Sequence, residues 1–197
     1  FFPIFWISFA IGLIMKKLRE LGLDQDTIII FSSDNGGETN ITSNAPLRGG
    51  KSQLYEGGIR VPLIVRWIGK IPSGKVSSQP TVNIDFYPTL LEVAEISPSK
   101  KHRLDGISIL RNWINPTSRL SRDEIYWHYP LEKPHFLGGI SGGAILSGDW
   151  KLIESFDTKK VELYNLTKDI SEKNNLAETH PILAKSLQAR LIEWRNT

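Results

Sequence analysis

Residues 27–37 read TIIIFSSDNGG, a β-branched and aromatic run that breaks into a polar turn ending in two glycines. A strand apolar from Thr27 through Phe31 has no side for water, which predicts a parallel sheet buried between helices. Just upstream, residues 13–21 (LIMKKLREL) set apolar and basic side chains at helical spacing, and Gly22 stands where a helix C-cap belongs. Helix, short turn and buried strand together predict an α/β layer. In open sheets of this kind ligands bind at the carboxyl ends of the strands. Asp34 and Asn35 stand at that end and carry hard oxygen donors, suited to calcium or magnesium. Turn chemistry alone accounts for an Asp-Asn-Gly sequence equally well.

Downstream lie residues 48–62, RGGKSQLYEGGIRVP. Lys51 follows two glycines, so little shields its ammonium from an anion, and a compact point charge suits a sulfate or phosphate oxygen. A phosphate-binding P-loop would need glycine at position 45, where Ala45 stands. A solvated surface lysine is the plain alternative. Residues 59–67 predict a second strand with an irregular start at Pro62. Residues 85–94 predict a helix with Asp85 as its cap and Pro88 in its first turn. A polar linker over residues 97–101 and a turn at Asp105-Gly106 follow.

The composition shifts near residues 115–117. Beyond it, strands are predicted over residues 124–129, 143–146, 150–156 and 161–164, with hairpin turns at 147–149 and 157–159. Residues 181–195 predict an amphipathic helix with Leu183, Leu187, Leu191 and Trp194 on one stripe. This is a small antiparallel sheet carrying one helix. His128 lies in YWHYP, residues 126–130, where an imidazole among aromatics has the means to hold an anionic or sugar ligand. A partly buried, satisfied strand histidine fits the same pattern. His102 and His135 carry less.

Composition narrows the classes. The 197 residues are 40% hydrophobic and 23% charged, ordinary values for a globular chain. The formal charge of +3 is scattered, with no basic stripe interleaved with aromatics, so nucleic acid is not an expected partner. With no cysteine, the chain has no disulfide, no thiolate metal site and no cysteine nucleophile. Residues 1–14, FFPIFWISFAIGLI, fall short of the roughly 20 apolar residues of a membrane span. The lysines come after this run, not before it as in a signal peptide. A buried helix is the expectation there. Sequons at Asn40 and Asn165 are triplets common by chance.

Five stretches, in this order, resemble the sulfatase family of the alkaline-phosphatase superfamily. They are LGLDQDTIIIFSSDNGG, LRGGKSQLYEGGIRVPLIV, NIDFYPTLLEVAEI with LDGISIL, IYWHYP, and GDWKLIESF followed by VELYNLTKDISEKNNLAE. The resemblance covers residues 11–194 and leaves 1–10 atypical. It implies the C-terminal portion of an alkaline-phosphatase-like α/β catalytic domain over residues 1–117. A small α+β subdomain over 118–197 would follow. It implies a sulfuric ester hydrolase that uses calcium in preference to magnesium. Asp34 and Asn35 would be ligands, beside two acidic residues early in the family's chain. It implies that Lys51 contacts the sulfate and acts in catalysis, with His128 on the substrate.

The family's nucleophile is a formylglycine made from Cys or Ser in a Cys/Ser-x-Pro-x-Arg motif. That motif is absent here, so the nucleophile is expected in an N-terminal part outside this chain, and the chain alone is expected to be inactive. Where the family often has a histidine after Trp-His-Tyr-Pro, this sequence has Leu131, and His135 comes four residues later. The implied substrates are sulfate esters, above all of carbohydrates, and the implied location is extracellular, periplasmic or lysosomal. Two rival readings remain. One is a phosphate or phosphonate ester hydrolase of the same superfamily, although no further Asp and His cluster surrounds Asp34. The other is a noncatalytic remnant.

Overall fold

A computed structural model of the protein describes residues 2–99 and 101–197. Contacts group them into two compact units. One is Leu63–Ser121 with the segment ending at Phe31, and the other is Ser32–Pro62 with Arg122–Thr197. The predicted linker at 97–101 includes one position, 100, outside the described residues.

In the first unit, helix α1 spans Phe2–Glu20. Gly22 ends it at φ 69°: its N–H donates to Arg19 O (3.0 Å) and that of Leu23 to Leu18 O (2.9 Å). These two bonds satisfy carbonyls left open by the last turn. The helix begins earlier than the periodicity predicts, and the expectation of burial fails. Ile7, Phe9, Leu13 and Ile14 are each at least half exposed. No helix among the described residues is long and apolar enough to cross a membrane.

Strand β1 is Ile29–Ser32 and pairs with β2, Leu63–Arg66, in a two-stranded sheet. Its four residues are half-buried, not buried as expected, because a sheet of two strands seals neither apolar face. The predicted strand over 59–67 is shorter at its start. Its first residue belongs to a helical turn, and Pro62, which has no N–H to donate, precedes β2. A 3-10 turn over Asn83–Asp85 leads into α3, Phe86–Val93. Asp85 does not cap α3 with its side chain. Fully buried, it accepts from Val82 N–H (3.0 Å) and Ile107 N–H (3.1 Å), fastening the turn to a distant loop. Short helix α4, Leu110–Ile114, has no counterpart in the sequence reading.

The second unit is built on an antiparallel sheet of β3 (Glu124–Tyr129), β4 (Gly142–Ser147), β5 (Trp150–Ser155) and β6 (Val161–Asn165), in that order. Each expected strand is present, with ends shifted by at most a residue. Helix α5, Pro181–Arg195, lies on one face. Ile145, Leu152 and Leu163 meet Ala184, Leu187 and Leu191 there. Burying each such leucine contributes roughly 1.5–3 kcal/mol. Trp194, at the end of the predicted stripe, stacks flat on Tyr126, with centroids 4.8 Å apart. The other face carries Ala144, Ile153 and Tyr164, packed with Leu54, Tyr55 and Trp127. The sheet is therefore covered on both faces, which explains why β5 does not alternate apolar and polar residues.

Candidate functional site

Segment Ser32–Pro62 holds Asp34, Asn35 and Lys51 together with a helical turn α2, Glu56–Ile59. Its three glycine pairs, at 36–37, 49–50 and 57–58, interlock backbone to backbone. Gly36 N–H donates to Gly58 O (2.9 Å), and Gly57 N–H to Arg48 O (2.7 Å). A Cβ on Gly36 would fall on the carbonyl of Gly57, and one on Gly58 would fall on that of Gln53. Only glycine allows this approach. Asn44 fills the remaining gap: it accepts from Gly37 N–H (2.9 Å) and donates to Gly37 O (2.8 Å) and Gly49 O (3.0 Å).

One bond in this lattice joins the two sequence-predicted loops. Lys51 N–H donates to Gly37 O at 3.1 Å, two residues past Asn35. The Lys51 side chain is exposed, and no carboxylate pairs with it among the described residues. Asp34 is exposed too. Its Oδ1 accepts from Asn35 N–H (2.9 Å) and Asn35 Nδ2 (3.1 Å). The Asn35 amide nitrogen is thus turned back onto the loop, so its carbonyl oxygen and the second oxygen of Asp34 remain as acceptors. That donor chemistry fits a hard cation. No cluster of three His, Cys, Asp or Glu that could hold a metal occurs among the described residues.

His128 lies exposed on β3 opposite Gly143, and its ring meets Phe156 at 5.4 Å. The structure brings together the loops of Asp34, Asn35 and Lys51, and among the described residues no hydrogen bond joins His128 to them.

The sequence reading missed what anchors this segment. Glu56, at the start of α2, and Glu172 both receive the ammonium of Lys151 from β5, each at 2.9 Å. The second oxygen of Glu172 accepts from Glu56 N–H at 2.7 Å. Burial raises the Glu172 carboxyl above its ordinary value, while Lys151 pulls the other way. Beside this group, Arg48 donates to Tyr164 Oη and to Glu172 O, both at 2.9 Å, and lies 3.8 Å over the Tyr55 ring. Tyr55 and Tyr164 both donate to Glu162. Burial first, then Glu162, pushes the Tyr55 phenol up to about 12 and raises that of Tyr164 as well. A lysine inside the apolar run WKLI was the available signal, since a buried charge needs a partner.

The family model for Sulfatase matches residues 4–96. A Sulfatase of Formosa agariphila is 35% identical over 189 residues, covering 88% of this chain and 34% of that protein. The chain belongs to the sulfatase family. An N-acetylgalactosamine-6-O-sulfatase of Bacteroides thetaiotaomicron is 29% identical, covering 94% of this sulfatase-family chain and 39% of its own length. Among solved structures, Ps i-CgsB in complex with k-i-k-neocarrahexaose superposes with TM-score 0.86 at 28% identity, over 97% of this chain and 41% of that one. A protein in complex with its substrate D-glucosamine-2-N,6-O-disulfate superposes with TM-score 0.79 at 26% identity, over 98% and 39%. This sulfatase-family chain spans about a third of the length of the first curated relatives it matches. Its mixed helices and C-terminal antiparallel sheet with one helix have the alkaline-phosphatase-like fold of those sulfatases.

Proposed function

We propose that this chain supplies the anion- and cation-binding part of a sulfuric ester hydrolase acting on sulfated carbohydrates outside the cytosol. The observation that carries the reading is the Lys51 N–H to Gly37 O bond, which sets the backbone of a lysine with an exposed side chain against the loop that carries Asp34 and Asn35. Negative charge develops on the sulfate oxygens as an ester is cleaved. A preset cation beside those oxygens stabilises the transition state more than water does.

Asp34 and Asn35 are the residues that would hold calcium. Such a cation, when bound, supplies Lewis-acid stabilisation of the sulfate. Lys51 adds a point charge and its donors. The attacking group, a formylglycine by family, is not among these residues, so the chain alone binds without turning over. Names of the relatives support the substrate class: one acts on an N-acetylgalactosamine sulfate, and two solved structures hold saccharides.

The test is calorimetric titration of the chain with inorganic sulfate and inorganic phosphate, with and without calcium, in wild type and Lys51→Ala. Sulfate binding that disappears in the variant supports the reading. Sulfate binding unchanged by Lys51→Ala refutes it. A marked preference for phosphate points to phosphate ester chemistry instead.

A further inference from the structure

The loop over residues 131–141 packs on the stretch that follows Lys51. Leu131 N–H donates to Ser141 Oγ at 3.1 Å and closes its base. Inside it, His135 N–H donates to Gly139 O (2.7 Å) and Gly138 N–H to His135 O (2.9 Å). Leu137 is buried, and its carbonyl accepts from Gln53 Nε2 at 2.8 Å. Gly139 lies so close to Ser52 that a Cβ there would fall on the Ser52 carbonyl. Base, turn and tip are thus fastened, the tip to the two residues after Lys51.

On this fixed frame Phe136 is 86% exposed. Its ring stacks on the His135 imidazole with centroids 4.5 Å apart. A lone apolar side chain on a surface needs no explanation. Here a backed aromatic plane stands on a loop fastened to Ser52 and Gln53, the two residues that follow the exposed Lys51. An apolar face next to a point charge suits a ligand with both features: a ring whose C–H groups line one side, carrying an anionic substituent.

We propose that Phe136, backed by His135, is a platform for the pyranose ring of a sulfated saccharide whose sulfate is held at Lys51. This specificity-determining role rests on the placement of sulfate at Lys51 given above. Loss of the platform changes the preference for sugar sulfate over sulfate, whereas loss of Lys51 changes the binding of sulfate itself.

The experiment titrates the whole chain with inorganic sulfate and with a pyranose 6-sulfate, in wild type, Phe136→Ala, Phe136→Trp and Lys51→Ala. Wild type is expected to bind the sugar sulfate about tenfold tighter than sulfate. Phe136→Ala should reduce that ratio to about one with sulfate affinity unchanged, and Phe136→Trp should keep it. An unchanged ratio in Phe136→Ala, or equal binding of both ligands by wild type, overturns the platform and leaves the Lys51 reading in place. Sulfate binding that persists in Lys51→Ala overturns the placement of sulfate, and the platform with it. No binding of either ligand by wild type overturns both.

Discussion

The ammonium of Lys151 lies 2.9 Å from a carboxylate oxygen of Glu172, and neither side chain is exposed to solvent. The same ammonium reaches Glu56, so one buried cation ties α2, and through Gly58 the Asp34 loop, to β5. Replacing one partner of a buried ion group leaves an uncompensated charge, which costs about 3–5 kcal/mol. Lys151→Ala is expected to lose about that much in denaturant unfolding of the second unit. Lys151→Met combined with Glu56→Gln and Glu172→Gln should recover most of it. Equal loss in both proteins would mean that packing, not charge, dominates at position 151.

Lys51 gives the opposite profile. Its side chain is exposed and unpaired, so Lys51→Ala should leave unfolding within about 0.5 kcal/mol of wild type, as surface substitutions usually do. Joined to an N-terminal segment carrying Cys/Ser-x-Pro-x-Arg, the same variant should hydrolyse aryl sulfate about a hundred to a thousand times more slowly, as expected for loss of one preorganised donor. A near-normal rate removes Lys51 from the site.

Calcium binding follows from ligand count. The ion takes about six to eight oxygens, and on the proposed reading Asp34 with Asn35 would provide only part of that set. The isolated chain is therefore expected to bind calcium with a Kd of about a millimolar or weaker, with Asp34→Ala weaker still. Chelator should then lower stability by less than about 0.5 kcal/mol at calcium near its Kd. Calorimetric titration and thermal melts with chelator check both numbers.

Much of this arrangement was legible in the sequence, for a physical reason. Strands β3 to β6 and helix α5 are defined by local period and turn residues, so their bounds follow from residues a few positions apart. The Asp34 and Lys51 loops are marked by glycines that local turn chemistry makes visible. The Glu56–Lys151–Glu172 group joins residues 95 and 21 positions apart in sequence, and no local pattern encodes such a pairing. The exposure of α1 and β1 was illegible for a related reason. An apolar run states what a segment needs, while burial depends on what lies against it.

Alkaline pH should loosen the second unit through its tyrosines. Burial, then Glu162, raises the Tyr55 phenol to about 12, and burial, then Glu124, does the same for Tyr126. A phenol whose folded value lies above its unfolded value of about ten contributes stability that is complete below pH 10. That contribution is lost as pH rises through about 12. Unfolding midpoints should therefore fall over this window, and Tyr55→Phe should flatten the fall. Tyrosinate absorbance should show a late ionisation whose amplitude Tyr55→Phe reduces, with Tyr126 and Tyr164 supplying the remainder. An early ionisation of Tyr55, near ten, would mean that the ring is not held against Glu162 in solution.

The glycine lattice makes the sharpest demand on the site. At Gly36 an added Cβ meets the Gly57 carbonyl, which belongs to a helical turn held by buried carboxylates, so neither side can yield cheaply. At Gly148, in the β4–β5 turn, the backbone is left-handed with φ 56°, but nothing lies within 4 Å of the added carbon. Gly148→Ala should therefore cost only the left-handed backbone penalty, about 1–2 kcal/mol, and leave ligand binding alone. Gly36→Ala should cost about 1–3 kcal/mol through overpacking. It should also displace the Asp34–Asn35 turn from Lys51, lowering calcium and sulfate binding together. Measuring both affinities beside unfolding in the two variants separates strain from steric exclusion. If Gly36→Ala loses stability but keeps both affinities, the interlocked backbone supports the fold without positioning the site.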